Sequence, residues 1–359
     1  MFKTHYIHWS FYFYSFLISL SISLLVTKVL VTAFKTSDKV QRFIGSLPHI
    51  HNKVMTFGGA GVVLSFIATI WTCFLFGWIH DDKLFLLQIL TLALCLTFAL
   101  GILDDIFDFT ARTKFSVQIF IITIVYLSGF KMPQIGDIAL SDPASFFLVS
   151  LWICGITNAV NLIDGLDGLA GGVILLSCVT LGFVYIGRAV YEPSLLAIIL
   201  CGGILGFLIY NLPPAKIILG DTGSLSIGLI VSLIPLLAVN QGNTSRMYYL
   251  LPLVILLYPI TDTGSSFLRR VLKGRNPFQR DKEHFHHRLI HLGFTPVKTL
   301  LVLYFVCIYF DLASLIPVYF INLFPHLLYY FFAFIIVSVG FIIYSLGRLE
   351  KRAGHSCKQ

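Results

Sequence analysis

The chain has 359 residues, of which 57% are hydrophobic and 12% charged, with a formal net charge of +8. Soluble globular chains carry about 25% charged residues, so a water-soluble domain is excluded. With it goes the reading of the positive charge as a nucleic-acid surface. A mean hydropathy of +0.88 places the chain in the bilayer, and its apolar runs do not alternate as membrane β-strands would.

In chain order the sequence predicts eleven membrane helices, over 11–34, 57–79, 84–103, 115–130, 145–162, 168–187, 194–211, 224–240, 247–268, 299–320 and 327–346. The expected fold class is therefore all-α, a polytopic helical bundle forming one integral membrane domain over 1–359. Within it, 269–298 is a basic, histidine-bearing loop, too short to fold alone but able to hold a short helix. Lysine and arginine between the runs are distributed 19 to 5. The positive-inside rule then puts the N-terminus outside and the C-terminus in the cytoplasm. The first run is long and lacks a small-residue cleavage site, so it reads as a retained helix. Seven cysteines fall mostly inside apolar runs without CxxC or CxxH spacing, which supports neither a disulfide framework nor a zinc site.

The polar residues of interest gather at predicted helix ends on the side read as cytoplasmic. Asp104, Asp105 and Asp108 form DDIFD after the third run, where a solvated loop is as good a reading as a metal site. Asn158, Asn161, Asp164 and Asp167 lie in NAVNLIDGLDGLAGG, richer in Asn and Asp-Gly than a polar turn requires. Asp221 lies in GDTGSL, where it could simply cap a helix starting near Ser224, and Asp262 lies in PITDTGSSFLRR. His284, His286, His287 and Arg288 lie in DKEHFHHRL. Flanked by Lys282, these side chains suit a phosphate or sugar better than zinc, while Arg269, Arg270, Lys273 and Arg275 read as a topology anchor. Carboxylates beside hydrocarbon cost at least a few kcal/mol unless paired, hydrated or metal-bound. A divalent cation with oxygen ligands, Mg²⁺ where phosphates are handled and Mn²⁺ as the alternative, relieves their mutual repulsion. Asp311 falls inside a predicted span and has no evident partner.

Two rival classes meet the same residues. An intramembrane Mg²⁺-dependent prenyltransferase would show two similar DxxxD motifs, whereas the second motif here is Asn/Asp-Gly rich and a histidine loop is present. A transporter with an acidic pathway would place its acids near the midplane, often in repeated halves. These acids sit at helix ends, and no internal repeat is visible.

At LDDIFD (103–108), NAVNLIDGLDGLAGG (158–172), GDTGSLSIG (220–228), PITDTGSSFLRR (259–270) and DKEHFHHRLIHLGFT (281–295) the chain resembles the polyprenyl-phosphate N-acetylhexosamine-1-phosphate transferases, glycosyltransferase family 4. The HFHHRL form is similar to the undecaprenyl-phosphate GlcNAc-1-phosphate branch that starts teichoic acid, O-antigen or common-antigen glycans. The resemblance implies transfer of sugar-1-phosphate from a UDP-N-acetylhexosamine, GlcNAc first, to undecaprenyl phosphate, releasing UMP, in the bacterial cytoplasmic membrane and with a homodimer admitted. It implies Asp221 as a Mg²⁺ ligand assisted by Asn161, with Asp104 and Asp105 beside the lipid phosphate and Asp104 as base. Asp164 would support the pyrophosphate and metal region, Asp167 would contact the uracil, and Lys114 would lie near the phosphates. Asn158 would serve substrate binding, and His284, His286, His287 and Arg288 would hold the sugar phosphate. The chain departs from the family at PHIHNKVMTFGGAGV (48–62). There His51, Gly58 and Gly59 keep the outline, but Val54 and Thr56 stand where Pro and Arg are common.

Overall fold

A computed structural model describes residues 9–37, 56–135, 138–240, 247–274, 283–320 and 327–356. His51, Val54, Arg275 and Lys282 lie outside the described residues. The fold is an all-α polytopic bundle of α1 (Trp9–Thr36), α2 (Gly59–Leu75), α3 (Leu84–Phe107), α4 (Ala111–Leu127), α5 (Asp142–Ile163), α6 (Leu169–Gly187), α7 (Tyr191–Asn211), α8 (Gly220–Asn240), α9 (Met247–Ile255), α10 (Leu257–Leu272), α11 (Phe285–His291), α12 (Pro296–Phe320) and α13 (Leu327–Ser356). Among the described residues, eight helices are long and apolar enough to cross a membrane. The other predicted spans fall on α2 and α4, of 17 residues each, and on the pair α9–α10.

The expected single helix over 247–268 is broken at Leu256. The cause is local: Pro259 has no N–H to offer the carbonyl of Ile255 four residues back. Ser177 of α6 takes over, its hydroxyl donating to Ile255 O at 3.3 Å. The short helix expected in the basic loop is α11. Past the break, α10 is two-faced, burying Tyr258, Asp262 and Ser266 while Phe267, Leu268 and Leu272 stay exposed.

At the centre stands α8, wholly buried from Thr222 to Val239 and packed against α2, α3, α5 and α7. Close approach at its start requires glycine. A Cβ on Gly59 would lie 2.1 Å from Gly223 Cα, and one on Gly101 would lie 2.4 Å from Thr222 Cα. Gly220 has φ +71, and a Cβ there would meet Thr56 O at 2.1 Å. The GG pair of the first loop thus packs against the GDTG turn, with Gly59 N–H donating to Leu219 O at 3.0 Å. The opposite end of the bundle carries a two-residue-per-strand hairpin, Gln134–Ile135 with Ile138–Ala139, and the ion pairs Lys83–Glu192 (3.2 Å) and Lys131–Asp142 (2.8 Å).

Candidate active site

The end of α3, the start of α4, the end of α5 and the start of α8 converge on one polar network. Lys114, on the first turn of α4, donates from Nζ to Asp104 Oδ2 at 2.5 Å and to Asp221 Oδ2 at 2.9 Å. Asn161, near the end of α5, donates to Asp221 Oδ1 at 2.9 Å and to Ser224 Oγ at 2.9 Å. The Asp221 side chain keeps 30% of its surface open while that of Asp104 keeps 2%, so Asp221 faces the cleft and Asp104 lies beneath it. The other oxygen of Asp104 accepts from Phe109 N at 2.8 Å. Helix α3 ends at Phe107, and Asp108 follows it in the left-handed region with φ 50, its N–H donating to Asp104 O at 2.8 Å.

Asp105 is committed to the start of α8. Its Oδ1 accepts from Asp221 N at 2.9 Å, and its Oδ2 accepts from Thr222 N at 3.1 Å and from Thr222 Oγ1 at 2.6 Å. A carboxylate on the free N–H groups of a helix start neutralises orphan donors and the positive end of the dipole. Because Asp105 fills that role, Asp221 sits within the first turn of α8 rather than capping a helix that begins near Ser224.

Asp164 ends α5. Burial first, then the charges of Asp221, Asp105 and Asp167, push its carboxyl well above the usual carboxylate range, against a hydrogen bond to the Gly220 backbone. Asp167 accepts from Ala215 N at 3.1 Å and so ties the NLIDGLDG turn to the loop before α8. Asn158 lies a turn below Asn161 and faces away from the acids, donating to Gln118 Oε1 at 2.8 Å and to Cys154 O at 2.8 Å.

The histidine helix α11 is held by a residue to which sequence reading gave no role. Asp262, fully buried on α10, meets His284 Nδ1 at 2.8 Å through Oδ2 and accepts from Phe285 N at 2.7 Å through Oδ1. Its spacing from the histidines, more than twenty residues along the chain, gave no local signal. Arg269 adds a second clip, donating to Glu283 O at 2.6 Å and to Ser266 Oγ at 2.9 Å, which is more than a topology anchor. His286 is 1% exposed, and among the described residues neither of its ring nitrogens has a hydrogen-bond partner. Burial, reinforced by His287 and His284 and opposed by Asp262, lowers its pKa from 6.5 to about 4, so the ring is neutral. It lies against the acidic turn: a Cβ on Gly165 would fall 2.3 Å from His286 Nε2. The His286 and His287 rings are 4.2 Å apart, and the Arg288 guanidinium lies 5.8 Å from the Phe285 ring.

The donor set fits a hard cation. Asp221 offers carboxylate oxygen at the open edge of the network, where Asn161 meets it through its amide nitrogen, and among the described residues more carboxyl groups than cations gather there. No three His, Cys, Asp or Glu side chains among the described residues are arranged as a ready ligand shell. Mg²⁺ commonly takes one or two carboxylates together with substrate phosphates. Between α5, α8, α9 and α10 runs an apolar cavity of about 500 Å³, which extends from Ile135 of the hairpin end past Trp152, Ile156 and Ile260 to Ala159, near Asn161 on α5.

The family model described as glycosyl transferase family 4 matches residues 87–239. A Bacillus subtilis protein named "Probable undecaprenyl-phosphate N-acetylglucosaminyl 1-phosphate transferase" is 32% identical over 74% of both chains. The undecaprenyl-phosphate alpha-N-acetylglucosaminyl 1-phosphate transferase of Thermotoga maritima is 32% identical over 61% of this chain and 66% of its own. A phospho-N-acetylmuramoyl-pentapeptide-transferase of Listeria welshimeri is 29% identical over 67% of this chain and 78% of its own. By the extent and identity of the first of these matches, the chain belongs to glycosyl transferase family 4.

Proposed function

We propose that this protein transfers N-acetylglucosamine-1-phosphate from UDP-GlcNAc to undecaprenyl phosphate, giving the lipid-diphosphate sugar and UMP, and so initiates a cell-envelope glycan. The observation that carries the reading is the Lys114–Asp104–Asp221–Asn161 network, with an apolar cavity running along α5 up to Ala159 and the histidine helix against Gly165 of the neighbouring acidic turn. One substrate of such a reaction is a lipid and the other a soluble nucleotide. Only a site at a helix-end face, with hydrocarbon beside it and water above it, serves both.

In this reading an oxygen of the lipid phosphate attacks the phosphorus that bears the sugar. The bridging P–O bond breaks, and UMP leaves with the bridging oxygen. Phosphoryl transfer of this kind needs positioning and neutralisation of charge more than covalent help. Asp104 takes the proton of the lipid phosphate when that group enters as its monoanion. Lys114, already shared between Asp104 and Asp221, swings its ammonium onto the phosphates. Asp221 and Asn161 would hold Mg²⁺, or Mn²⁺, which supplies positive charge to the pyrophosphate and the leaving UMP. Asp105 serves the site through the start of α8, while Asp164 lines the pyrophosphate region and Asp167 the uracil. His286, His287 and Arg288 hold the sugar phosphate, and His284 holds them in place through Asp262. The cavity along α5 and α10 takes the first isoprene units. Asn158 acts from the layer beneath, by fixing Gln118.

The proposed setting is a bacterial cytoplasmic membrane, with a single transferase domain, eleven spans, the N-terminus outside and the site facing the cytoplasm. A homodimer is compatible with it. The test is direct. Purified protein given undecaprenyl phosphate, Mg²⁺ and a panel of UDP-N-acetylhexosamines releases UMP, fastest from UDP-GlcNAc, and stops when the metal is chelated. Folded protein that releases no UMP from any donor overturns the reading.

A further inference from the structure

We infer that Tyr304 is a positioning residue: its hydroxyl fixes the register of the histidine helix against the Asp164–Asp167 turn. The inference rests on the function proposed above and goes beyond it by naming a residue that none of the motifs contains.

Tyr304 lies on α12, which follows the histidine helix after residues 292–295. Its hydroxyl donates to Gly168 O at 2.6 Å. Gly168 comes directly after Asp167, caps α6 and sits at φ +78. Both polar groups of Gly168 are held from outside its own segment. Its N–H donates to Asn211 Oδ1 at 2.9 Å, and its carbonyl, which already accepts Gly172 N at 2.9 Å, takes the tyrosine as a second donor.

A second observation is independent of that hydrogen bond. Gly172 has ordinary helical backbone, where glycine is a poor choice on propensity alone. A Cβ there would lie 1.7 Å from Tyr304 Oη, 2.1 Å from Cζ and 2.6 Å from Cε1. The end of the tyrosine ring occupies the volume that any other residue at 172 would need. The acidic turn is therefore met twice by one continuous stretch of chain, at Gly165 by His286 and at Gly168 by Tyr304. The apolar contacts of Leu300, Leu303 and Cys307 pack one face of α12, but such contacts do not fix an axial position as a directional bond does. The acceptor-side groups Asp104 and Lys114 have no bond to Tyr304. Losing the hydroxyl should therefore loosen the nucleotide-sugar half of the site and spare the lipid-phosphate half.

The experiment compares full-length wild type, Tyr304→Phe, Gly172→Ala, Tyr304→Ala and the double variant Gly172→Ala/Tyr304→Ala, using UMP release. For Tyr304→Phe the KM for UDP-GlcNAc should rise roughly three- to tenfold, the effect of one hydrogen bond, with the KM for undecaprenyl phosphate unchanged. Gly172→Ala should reproduce that rise by displacing the ring, and the double variant should be no worse than Tyr304→Ala alone. A readout that needs no turnover separates this inference from the assigned reaction. Amide exchange in Tyr304→Phe should quicken together in 164–172 and 284–291. An unchanged donor KM, a parallel rise in both KM values, additive losses in the double variant, or exchange unchanged in either segment would each overturn the inference.

Discussion

Two neighbouring aspartates, Asp104 and Asp105, are assigned different work by their hydrogen bonds. Asp104 shares the Lys114 ammonium with Asp221, whereas Asp105 spends both oxygens on the first turn of α8. Replacing Asp105 by alanine should therefore cost about 1–2 kcal/mol of stability, as a lost helix cap does, and lower the melting temperature in detergent. A variant that melts as wild type does would remove the capping role. Asp221→Asn should behave in the opposite way. The amide retains the shape, so the protein should insert and melt normally while metal-dependent UMP release falls at least a hundredfold, on the order expected for losing a charge that stabilises transferring phosphoryl groups. Wild-type turnover in Asp221→Asn would take it out of the metal site. The acids, Lys114 and Asn161 are legible in the sequence because they stand in compact motifs. Asp262 and Tyr304 are not, because each acts across more than twenty residues of chain on a partner that only the folded bundle brings near. The division of labour within DDIFD is equally silent, since adjacent residues on a helix point in different directions.

At the scale of elements, hydropathy located every apolar run as helix but missed the break at Leu256, although Pro259 was in plain view. A proline within an apolar run is common in membrane helices because neighbours can satisfy the freed carbonyl, and only the packed position of Ser177 shows that this happened here. The break lets α10 present Asp262 to the histidine helix. That helix, Phe285–His291, has 7 residues, far below the length at which isolated helices persist. Its order must come from tertiary contacts, among them the bonds of Asp262 and Arg269. Asp262→Ala should therefore speed amide exchange across 284–291 and lower kcat/KM by roughly ten- to a hundredfold, the cost of orphaning a buried charged-group bond. Protected exchange in that variant would show that the helix stands without its anchor. The same segment has a pH dependence of known sign. His286 is buried neutral with its pKa lowered from 6.5 to about 4, so the unfolded segment binds the proton more readily. The stability this gives is complete above pH 6.5 and is lost as pH falls toward about 4.

For the molecule as a whole, one question decides whether the proposed chemistry can occur: which side of the membrane the helix ends face. The polar network, the acidic turn and the histidine helix all lie at one end of the bundle. Lys83, Lys131, Asp142 and Glu192 lie at the other, in two ion pairs. Sequence supplied the orientation only through the 19-to-5 bias of basic residues, a statistical field effect that no packing interaction enforces. The proposed donor, a soluble UDP-sugar of the cytoplasm, requires the network to open there. Lys216, in the loop before α8, lies at the site end, and Lys83, ahead of α3, lies at the other. Single cysteines placed at these two positions in a cysteine-free background should report the orientation in sealed right-side-out vesicles. Lys83→Cys should react with a membrane-impermeant maleimide from outside, whereas Lys216→Cys should react only after the vesicles are opened. The reverse pattern would place the site outside, away from any nucleotide-sugar pool. It would refute the assignment of the donor while leaving the geometry of the network untouched.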